Sequence, residues 1–566
     1  MTKIAFDTET HGLDWFDGQG AFLASWADAD NEYVADLSDP EQTQSFVNAL
    51  ESATELVCHN LPFDTHQTRE AVGFDTLTSG AVLRDTALES RVLKPLGQFT
   101  HGLKDLSAGL LRPDAKESED AILEIFKTLG IRKDSPGAYY DAWRAYPEQL
   151  EHYAKEDARL TYDLDSKLYP DVASNRCFEL EMAVAPILIR AEQTGVAIDQ
   201  DAVVPLWDEY TLSEENLREE LDGYGITEGC LEGPGSRDAL LEALLEIGVP
   251  LYRKTESGQL ATHKFALQEF EDDYPQLAAL MEWRRVSKFL STYLGPMRGR
   301  DVLHTSFHQC AAWTGRMSSS RPNLQNLPKR AGREVRRPIV ARPGYSLVVS
   351  DYDGIEARLL AYYMNDENYR RMFREGLDPH AWMAAQIHGG TMEDFAKDGP
   401  NDALRSAAKN TLFAITYGAG APRVADMNKI DKAEAKELIS KIKNSLPKYR
   451  RLMGRIRKKV TVSGHVTTVY GRTQMIDKKK AYVGLNALIQ GSAADIMKQG
   501  LVNADAAVAE FGARPLMVVH DEIVTEAPTE YAEQVLVAQN RAMEAAFESD
   551  PPLEVSGSIA SNYEEA

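Results

Sequence analysis

Two aspartates, each following an apolar run typical of a β-strand, could bind metal ions together. Asp351 ends the run LVVSD, and Asp521 follows LMVVH about 170 positions later. Between them, Arg405 and Lys409 are four residues apart, so both cations share one face of a helix. Carboxylate oxygens suit hard divalent cations, and cationic side chains hold a triphosphate. The joint pattern predicts a nucleotidyl-transfer site, although a single such aspartate is as readily a turn residue.

A second group of acidic residues lies in the N-terminal third of the chain. In AFDTET, strand alternation places Asp7 and Glu9 on one face, about 6.6 Å apart. Asp64 in NLPFD and Asp157 in YAKED add two carboxylates, and Tyr153 lies one helical turn before Asp157. Four carboxylates and a tyrosine suit a two-metal phosphodiesterase in which Tyr153 orients the attacking water. Ordinary surface charges are the alternative, and for an isolated DxE pair the better one.

Composition limits what the chain can be. Its 566 residues suffice for about three or four domains, and a hydrophobic content of 43% is typical of a globular protein. No apolar run approaches the roughly 18 residues of a membrane span, and the N-terminus lacks the apolar core of a signal peptide. We therefore expect a cytoplasmic protein without membrane contact. The four cysteines, Cys58, Cys177, Cys230 and Cys310, lack CxxC spacing and predict neither a zinc site nor disulfides.

The charge is distributed unevenly. A net charge of −25 argues at first against a nucleic-acid partner, because Lys and Arg neutralise phosphates. Residues 1–60 contain twelve acidic residues and one basic residue, whereas residues 282–342 contain thirteen basic and three acidic residues. The basic stretch includes TGRMSSSRPNLQNLP, whose small polar side chains can reach phosphate and sugar. A solvated surface is the usual alternative, but we expect this stretch to bind a DNA duplex.

Periodicity indicates an α/β multidomain protein. Residues 1–170 mix strand and helix patterns, residues 175–300 are mostly helical, and strand-like segments near Asp351 and Asp521 flank a helical block. The predicted domains are 1–170, 175–300, 301–365 together with 476–566, and 366–475. No short repeat or long low-complexity tract supports a solenoid or a disordered scaffold.

Three N-terminal motifs resemble the exonuclease motifs of the proofreading domain in family A DNA polymerases, namely FDTET, NLPFD and YAKED. The resemblance implies a ribonuclease-H-like fold and 3′-to-5′ removal of mispaired primer ends. It assigns metal binding to Asp7, Glu9, Asp64 and Asp157, with Tyr153 beside the attacking water. Because Asp7 lies almost at the N-terminus, we expect no preceding 5′-nuclease domain and no removal of RNA primers.

Five motifs beyond residue 300 occur in the order found in the DNA polymerase I group: TGRMSSSRPNLQNLP, DYDGIEARLLA, RSAAKNTLFAITYG, LNALIQGSAADIMK and VHDE. This resemblance implies a right-hand polymerase with a helical thumb (175–300), a β-sheet palm (301–365 and 476–566) and helical fingers (366–475). It makes Asp351 and Asp521 the metal-binding palm aspartates of DNA-templated synthesis. Glu522 is adjacent, but its role is open.

The same resemblance assigns further site residues. A row at spacing four, about 18 Å long on one helix, would place two cations at the phosphates and two aromatic rings at the sugar and the base pair. These dNTP-binding residues are Arg405, Lys409, Phe413 and Tyr417, with His380 as another phosphate contact. Glu356 matches the sugar gate that excludes a ribose 2′-hydroxyl. Phe413, in place of tyrosine, implies discrimination against dideoxynucleotides. The expected DNA contacts are Arg316, Asn323, Gln325, Asn326, Asn486, Gln490 and His520.

Three residues depart from the family pattern. Tyr482 replaces a common arginine and Val518 a common glutamine, so minor-groove sensing is expected to be weaker or arranged differently. Gly354 replaces the glutamine usual in bacterial repair enzymes and is more similar to phage replicative members.

We therefore expect a monomeric, phage-encoded replicative DNA polymerase with proofreading, located in the host cytoplasm. It would bind primer-template DNA and dNTPs and use two Mg²⁺ per active site, with Mn²⁺ able to substitute. A host repair polymerase and a non-catalytic DNA-binding remnant stay open as alternatives, and so does a separate replisome or processivity factor.

Overall fold

A computed structural model describes residues 2–93, 100–255, 257–329 and 331–566. The chain forms two compact units. The first comprises residues 1–194, 307–318 and 348–559, and the second comprises residues 195–306, 319–347 and 560–566. Among the described helices, none has both the length and the apolar character needed to cross a bilayer.

The N-terminal part of the first unit is built on a five-stranded mixed sheet in the order β3-β2-β1-β4-β5. Its strands are β1 (Lys3–Thr10), β2 (Ala21–Ala27), β3 (Glu32–Asp36), β4 (Glu55–Cys58) and β5 (Val82–Asp85). The central strand β1 pairs antiparallel with β2 and parallel with β4. Its alternate residues Ile4 and Phe6 are buried in an apolar core, which leaves Asp7 and Glu9 on the opposite face.

The helices described after and around this sheet are α1 (Pro40–Ser52), α2 (Leu61–Val72), α3 (Thr86–Leu93), α4 (Leu103–Leu110), α5 (Glu117–Leu129), α6 (Ala138–Ala145), α7 (Pro147–Val172) and α8 (Arg176–Thr194). The 26-residue helix α7 begins with Pro147, a residue favoured in the first turn, and packs across β1 and β2. This packing brings the motif YAKED to the polar face of the central strand.

Between residues 195 and 347 the chain is mostly helical. The elements are β6 (Val196–Ile198), α9 (Gln200–Gly223), α10 (Glu228–Leu231), α11 (Ser236–Glu246), α12 (Lys264–Leu267), α13 (Pro275–Lys288), α14 (Gly295–Met297), β7 (Val302–Leu303), β8 (Ser306–His308), β9 (Ser318–Ser320), β10 (Ile339–Val340) and the start of β11 (Tyr345–Tyr352). Within the second unit, α9 packs on α13, and Leu221, Leu244, Leu280 and Trp283 form part of its core. A small sheet in the order β10-β6-β7 completes this unit.

The remaining elements are α15 (Ile355–Met364), α16 (Glu367–Arg374), α17 (Pro379–His388), α18 (Asp402–Thr416), α19 (Ala421–Asn428), α20 (Lys432–Ser445), α21 (Pro447–Ser463), β12 (His465–Thr467), β13 (Thr473–Met475), α22 (Gly484–Val508), β14 (Arg514–Val519), β15 (Glu522–Pro528), α23 (Ala532–Glu544) and β16 (Val555–Ala560). Four strands form a second sheet in the order β14-β15-β11-β16. Gly557 permits close pairing at its edge, because a Cβ atom there would lie 2.4 Å from the carbonyl oxygen of Val349.

The run LMVVHDEIV, expected as one strand-like segment, is a β-hairpin. Val519 of β14 pairs with Glu522 of β15, and His520 and Asp521 form the turn between them. His520 adopts a left-handed backbone with φ of 61°. The two polar residues in the middle of an apolar run mark the turn, and Asp521 is therefore a turn residue next to the sheet.

Four buried charges tie α8 to α22 within the first unit. Glu181 of α8 forms ion pairs with Arg472 and with Lys498 of α22, and Arg472 also pairs with Asp495 at 2.7 Å. Burial alone would raise the pKa of Glu181, but Lys498 and Arg472 lower it to about 2. Glu181 therefore stays ionised, and its ion pairs fix α22, the helix that carries Asn486 and Gln490.

Candidate active sites

The first acidic cluster is built on the central strand of the five-stranded sheet. Asp7 and Glu9 lie two residues apart on β1, and Asp157 lies on α7, which packs across that strand. One carboxylate oxygen from each of these three residues lies within 4.8 Å of the other two. The structure therefore brings together three of the four carboxylates that the sequence assigns to metal binding.

The fourth carboxylate, Asp64, is positioned by α2. Asp85 accepts hydrogen bonds from two backbone N–H groups at the start of that helix, at 3.1 and 2.9 Å. Asp64 accepts from the backbone N–H and the hydroxyl of Thr8, at 3.0 and 2.8 Å. Because Thr8 lies between Asp7 and Glu9 on β1, these bonds hold Asp64 next to the cluster.

Burial and mutual repulsion shift the acidity of this cluster. Desolvation raises the pKa of Glu9 to about 8, with Asp157 adding to the shift, and it also raises the pKa of Asp64 to about 8. The pKa of Asp7 is raised well above its usual value, first by desolvation and then by the charges of Asp64 and Asp157. Desolvation likewise raises the pKa of Asp157. A divalent cation would remove this repulsion, so the oxygen-rich donor set fits Mg²⁺ or Mn²⁺.

Tyr153 lies one turn before Asp157 on α7, as the spacing predicts. Desolvation and then the charge of Asp157 raise its pKa well above the usual value. The hydroxyl therefore keeps its proton at neutral pH and can donate a hydrogen bond to a neighbouring oxygen.

Lys104, a cation that sequence reasoning missed, lies against the acidic cluster. This buried residue of α4 forms an ion pair with Asp157, a second with Glu156 at 3.3 Å, and a hydrogen bond to the hydroxyl of Ser118 at 2.9 Å. Its ammonium is 4.7 Å from the ring centre of Tyr153. No local signal in HGLKDL identifies this role, because only the packing of α4 on α7 brings Lys104 to the cluster.

Asp351 lies in the four-stranded sheet, and Asp521 lies in a turn beside it. Asp351 is the penultimate residue of β11, and Asp521 is in the turn between β14 and β15. The backbone N–H of Tyr352 donates to the carbonyl oxygen of Asp521 at 3.2 Å, which brings the two aspartates to the same end of the sheet. Asp521 also lines a small cleft with Arg316 and His520. Two aspartates at one sheet end offer the hard oxygen ligands that Mg²⁺ prefers.

Glu356, the expected sugar gate, lies in the first turn of α15 and accepts hydrogen bonds from two directions. Arg316 forms an ion pair with one carboxylate oxygen, and the hydroxyl of Tyr417 donates to the other. Gly354, with φ of 63°, turns the chain from β11 into this helix. Desolvation raises the pKa of Glu356, and Arg316 opposes that shift. Glu356 is thus held between Arg316, an expected DNA contact, and Tyr417, an expected base-pair contact.

The predicted row of dNTP-binding residues lies on α18 as its spacing requires. Arg405, Lys409 and Phe413 follow one face of the helix, and Tyr417 is its C-terminal cap. The ring centres of Phe413 and Tyr417 are 6.0 Å apart, and that of His380 on α17 is also 6.0 Å from Phe413. The structure therefore brings all five residues to one surface.

Asp378 connects this row to α17 and was missed by sequence reasoning. It accepts from the backbone N–H of His380 at 2.8 Å as a helix cap, and from Nε of Arg405 at 2.6 Å. An Asp before Pro at a helix start, as in GLDPHAW, is the signal that could have identified it. Desolvation and then the charge of Lys409 lower the pKa of His380 to about 4, so its imidazole is neutral at neutral pH.

Asn486 and Gln490 lie one turn apart on α22. Two of the three departures from the family pattern, Tyr482 and Val518, have different surroundings. Tyr482 packs against Gly418, where an added Cβ atom would lie 2.7 Å from its ring. Val518 is buried in β14. The two departures thus differ, because Tyr482 covers the end of α18 at the surface whereas Val518 contributes to the core.

Three expected DNA contacts belong to the second unit. Asn323 accepts from the backbone N–H of Gln325 at 3.1 Å and so caps a short turn. The carbonyl oxygen of Asn326 accepts from the hydroxyl of Tyr293 at 2.7 Å, and Gln325 is buried. These bonds shape the loop around the motif PNLQNLP, and the contact of the loop with DNA stays a prediction.

Comparison with known proteins assigns both parts of the chain. Residues 1–173 match the family model for a 3′-5′ exonuclease, and residues 224–565 match that for DNA polymerase family A. DNA polymerase I of Pseudomonas aeruginosa is 31% identical over 617 residues, which cover 100% of this chain and 63% of that protein. The thermostable DNA polymerase I of Thermus filiformis is 34% identical over 448 residues, which cover 75% of this chain and 52% of that protein. The chain thus spans between about half and 63% of the length of these relatives.

A solved structure is similar over the whole chain. It is the polymerase domain of Pol1 from M. smegmatis, determined in complex with DNA primer-template and dNTP. The TM-score is 0.80 at 25% identity, and the match covers 100% of this chain and 96% of that one. Since the polymerase family model alone matches more than half of the residues, the chain belongs to DNA polymerase family A, with a 3′-5′ exonuclease domain followed by the polymerase domain of the family.

Proposed function

We propose that this protein is a DNA-templated DNA polymerase that adds dNTPs to a primer 3′-hydroxyl and removes mispaired ends by 3′-to-5′ cleavage. The observation that carries the proposal is the presence of two separate acidic sites, one in each family-matched domain. One site lies on β1 and α7, and the other lies where β11 meets the β14–β15 hairpin. The DNA primer-template and dNTP bound to the M. smegmatis relative support the same partners here.

Metal ions are part of the proposal at both sites. Two Mg²⁺ ions per site, with Mn²⁺ as a substitute, would supply the charge that activates the attacking oxygen and stabilises the leaving oxygen. Asp351 and Asp521 would hold them for synthesis. The ligands for cleavage would be Asp7, Glu9, Asp64 and Asp157.

During synthesis, the chain binds and orients the incoming nucleotide. Lys409 and Arg405 contact the triphosphate, and the neutral imidazole of His380 donates a hydrogen bond to it. Phe413 packs on the sugar, while Glu356 fills the space that a ribose 2′-hydroxyl would need. Tyr417, whose hydroxyl is hydrogen-bonded to Glu356, forms the end of this surface that contacts the base pair. Template and primer are contacted by Arg316, Asn323, Gln325, Asn326, Asn486, Gln490 and His520.

During cleavage, the protonated hydroxyl of Tyr153 orients the attacking water next to the carboxylate cluster. Asp64 keeps its place through the two hydrogen bonds from Thr8. Lys104 neutralises part of the acidic charge through Asp157. Removal of a mispaired end therefore uses side chains that synthesis does not.

Finer parts of the proposal concern the biological role. We propose replication of a phage genome rather than host repair, supported by Gly354, and a processivity assay on a long single-stranded template would separate the two roles. The proposed location is the host cytoplasm, where DNA and dNTPs meet, and the proposed state is a monomer that can take a replisome factor. The division into thumb (175–300), palm (301–365 and 476–566) and fingers (366–475) belongs to the same proposal.

The test uses the purified protein with Mg²⁺ and a labelled primer-template, paired or mismatched at the 3′ end, with and without dNTPs. Asp351→Ala is expected to abolish extension and to keep trimming of the mismatch. Asp7→Ala is expected to abolish trimming and to keep extension. Each variant is the control for the other, because a folding defect would reduce both activities.

Absence of extension by the unmodified protein would contradict the proposal. If trimming persisted in that case, the protein would be an exonuclease only. If both activities were absent while DNA still bound, a non-catalytic DNA-binding remnant would be the better account.

A further inference from the structure

A buried pair of polar side chains, His66 and Glu192, is used by neither of the sites described above. Nε2 of His66 on α2 lies 2.5 Å from a carboxylate oxygen of Glu192 on α8, and each side chain is only 4% exposed. A carboxylate can only accept a hydrogen bond, so Nε2 carries the proton. The indole of Trp15 stacks on the imidazole with ring centres 4.7 Å apart and fixes its plane. The pair therefore holds α2 against α8.

The pair matters because α2 also carries Asp64, a proposed metal ligand of the exonuclease site. Asp64 and His66 are two residues apart, which is about 200° around the helix, so their side chains leave it in nearly opposite directions. Asp64 faces β1, where it accepts its two hydrogen bonds from Thr8. His66 faces α8, where it donates to Glu192. Helix α2 is therefore held from both sides, and the two holds are one half-turn apart.

Glu192 has a second hydrogen bond, which leads into the polymerase part of the chain. Its other carboxylate oxygen accepts from the backbone N–H of Phe307. Phe307 lies in the polymerase-family part of the chain (224–565), whereas α2 lies in the exonuclease part (1–173). Helix α8, which carries Glu192, lies between these two parts. One carboxylate thus connects the helix of Asp64 to the polymerase part of the chain.

The two donors require a carboxylate rather than an amide at position 192. A glutamine could still accept from the N–H of Phe307 with its oxygen, but its amide nitrogen would then face Nε2 of His66. That nitrogen would have to become an acceptor, and the imidazole proton would move to Nδ1. Nδ1 is buried and has no hydrogen-bond partner within the described parts of the chain. Loss of the negative charge therefore breaks the bond on the His66 side and keeps the one on the Phe307 side.

We infer that Glu192 is a positioning residue of the exonuclease site, which fixes Asp64 through His66 and braces α2 on the polymerase part of the chain. The inference rests on the proposed exonuclease function and adds to it a residue from outside the exonuclease-matched part. Hydrogen-bonded groups behind a metal ligand set its orientation, and their loss typically costs roughly 10- to 100-fold in metal affinity or activity. A role of the pair in folding alone is the alternative, and it predicts equal losses at both active sites.

The test uses the whole chain with the variant Glu192→Gln, which keeps the shape of the side chain. We expect trimming of a labelled single-stranded 3′ end in Mn²⁺ to lose about tenfold in kcat, with an unchanged KM for the DNA. Extension of a paired primer should equal that of the unmodified protein, because the amide oxygen still accepts from Phe307. The matched control is Glu179→Gln, the same charge change at an exposed position of α8, and it is expected to keep trimming.

Metal binding gives a readout that does not depend on the reaction. In an Asp351→Ala background, isothermal titration with Mn²⁺ alone is expected to show about tenfold weaker binding at the exonuclease site for Glu192→Gln than for Glu179→Gln. A second variant, His66→Phe, keeps a ring to stack on Trp15 but removes the donor, and it should reproduce both losses. The double variant Glu192→Gln/His66→Phe should lose no more than either single variant, because both break the same bond.

Normal trimming and normal Mn²⁺ binding in both single variants would overturn the inference. Equal losses of trimming and extension would also overturn it, since they would assign the pair to folding alone. Losses that add up in the double variant would show that Glu192 does not act through His66. Absence of trimming by the unmodified protein would contradict the proposed exonuclease function separately, and the Mn²⁺ titration would still decide the role of Glu192.

Discussion

The proposed exonuclease site and the proposed polymerase site both contain aspartates, but positive charge is placed differently in the two. In the exonuclease site, the buried ammonium of Lys104 is paired with Asp157, one of the metal-binding candidates. In the polymerase site, Arg405 is paired with Asp378, away from the two central aspartates, and Lys409 has no carboxylate partner among the described residues. The first site uses its cation to neutralise part of its own acidic charge, whereas we expect the second to keep a cation for a triphosphate.

This difference follows from what each site must bind. A single phosphodiester carries one negative charge, so a cluster of four carboxylates repels it until cations are present. An incoming dNTP is more highly charged and arrives from solution, so cations on a helix that faces the cleft attract it and align its phosphates. We therefore expect removal of the two lysines to have opposite effects. Loss of Lys409 should weaken dNTP incorporation, whereas loss of Lys104 should strengthen metal binding at the exonuclease site.

The largest effect is expected at Lys409. Lys409→Met should lower kcat/KM for dNTP incorporation about 10³-fold, because a charge-assisted contact to the transferring phosphates is lost. Steady-state primer extension measures this loss, and trimming of single-stranded 3′ ends should be unchanged. The control is Lys436→Met on α20, for which normal extension is expected. A loss below tenfold, or an equal loss of trimming, would mean that Lys409 does not contact the triphosphate.

A smaller but more specific effect is expected at Glu356. Glu356→Ala should reduce the preference for dNTPs over rNTPs about 10²-fold, because the space for a ribose 2′-hydroxyl is opened. Competition between dNTP and rNTP on one template measures the ratio. Glu356→Gln keeps the shape of the side chain and is expected to retain most of the preference. If the preference depended on the ion pair with Arg316 instead, the Gln variant would lose as much as the Ala variant.

Lys104 sharpens the comparison from the exonuclease side. Lys104→Met should increase the affinity of the exonuclease site for Mn²⁺ about tenfold, because the ammonium paired with Asp157 no longer competes with the ion. Isothermal titration in an Asp351→Ala background measures this site alone. Lys127→Met provides the control, since it makes the same charge change at an exposed position. Weaker Mn²⁺ binding would show instead that Lys104 mainly holds Asp157 in place.

From sequence, candidate residues could be placed together only where they share one element at a fixed spacing. Strand alternation places Asp7 and Glu9, and a helical row places Arg405, Lys409, Phe413 and Tyr417, without knowledge of the rest of the fold. Their assembly with other elements depends on long-range packing.

Residues that act through such packing escaped sequence reasoning. Lys104 reaches Asp157 only because α4 packs on α7, and Asp378 reaches Arg405 only because α17 lies against α18. The hairpin turn at His520 and Asp521 was also missed, since apolar residues on both sides of it favour one continuous strand. Charge partners and turns inside apolar runs thus need the tertiary structure, whereas periodic catalytic motifs do not.

The smallest expected effect is on stability. The free energy of unfolding should depend on pH through the carboxylates of the exonuclease cluster. The pKa of Glu9 rises from 4.5 to about 8 in the folded protein, and that of Asp64 rises from 3.8 to about 8. Between these values the folded protein binds protons that the unfolded chain releases, so the free energy of unfolding falls as pH rises. In EDTA, the melting temperature should therefore fall by about 5 °C between pH 5 and pH 8.

Mn²⁺ should restore this stability at pH 8 but not at pH 5, because the ion binds only the deprotonated carboxylates. The variant Asp7→Asn/Glu9→Gln should flatten the pH profile in EDTA and remove the effect of Mn²⁺, whereas the exposed control Glu124→Gln should leave both unchanged. A melting temperature that rises with pH in EDTA would mean that Lys104 already compensates the cluster in full. Lys104→Met should then make the melting temperature fall as pH rises. That result would mean that the two sites differ in their lysines rather than in their carboxylates.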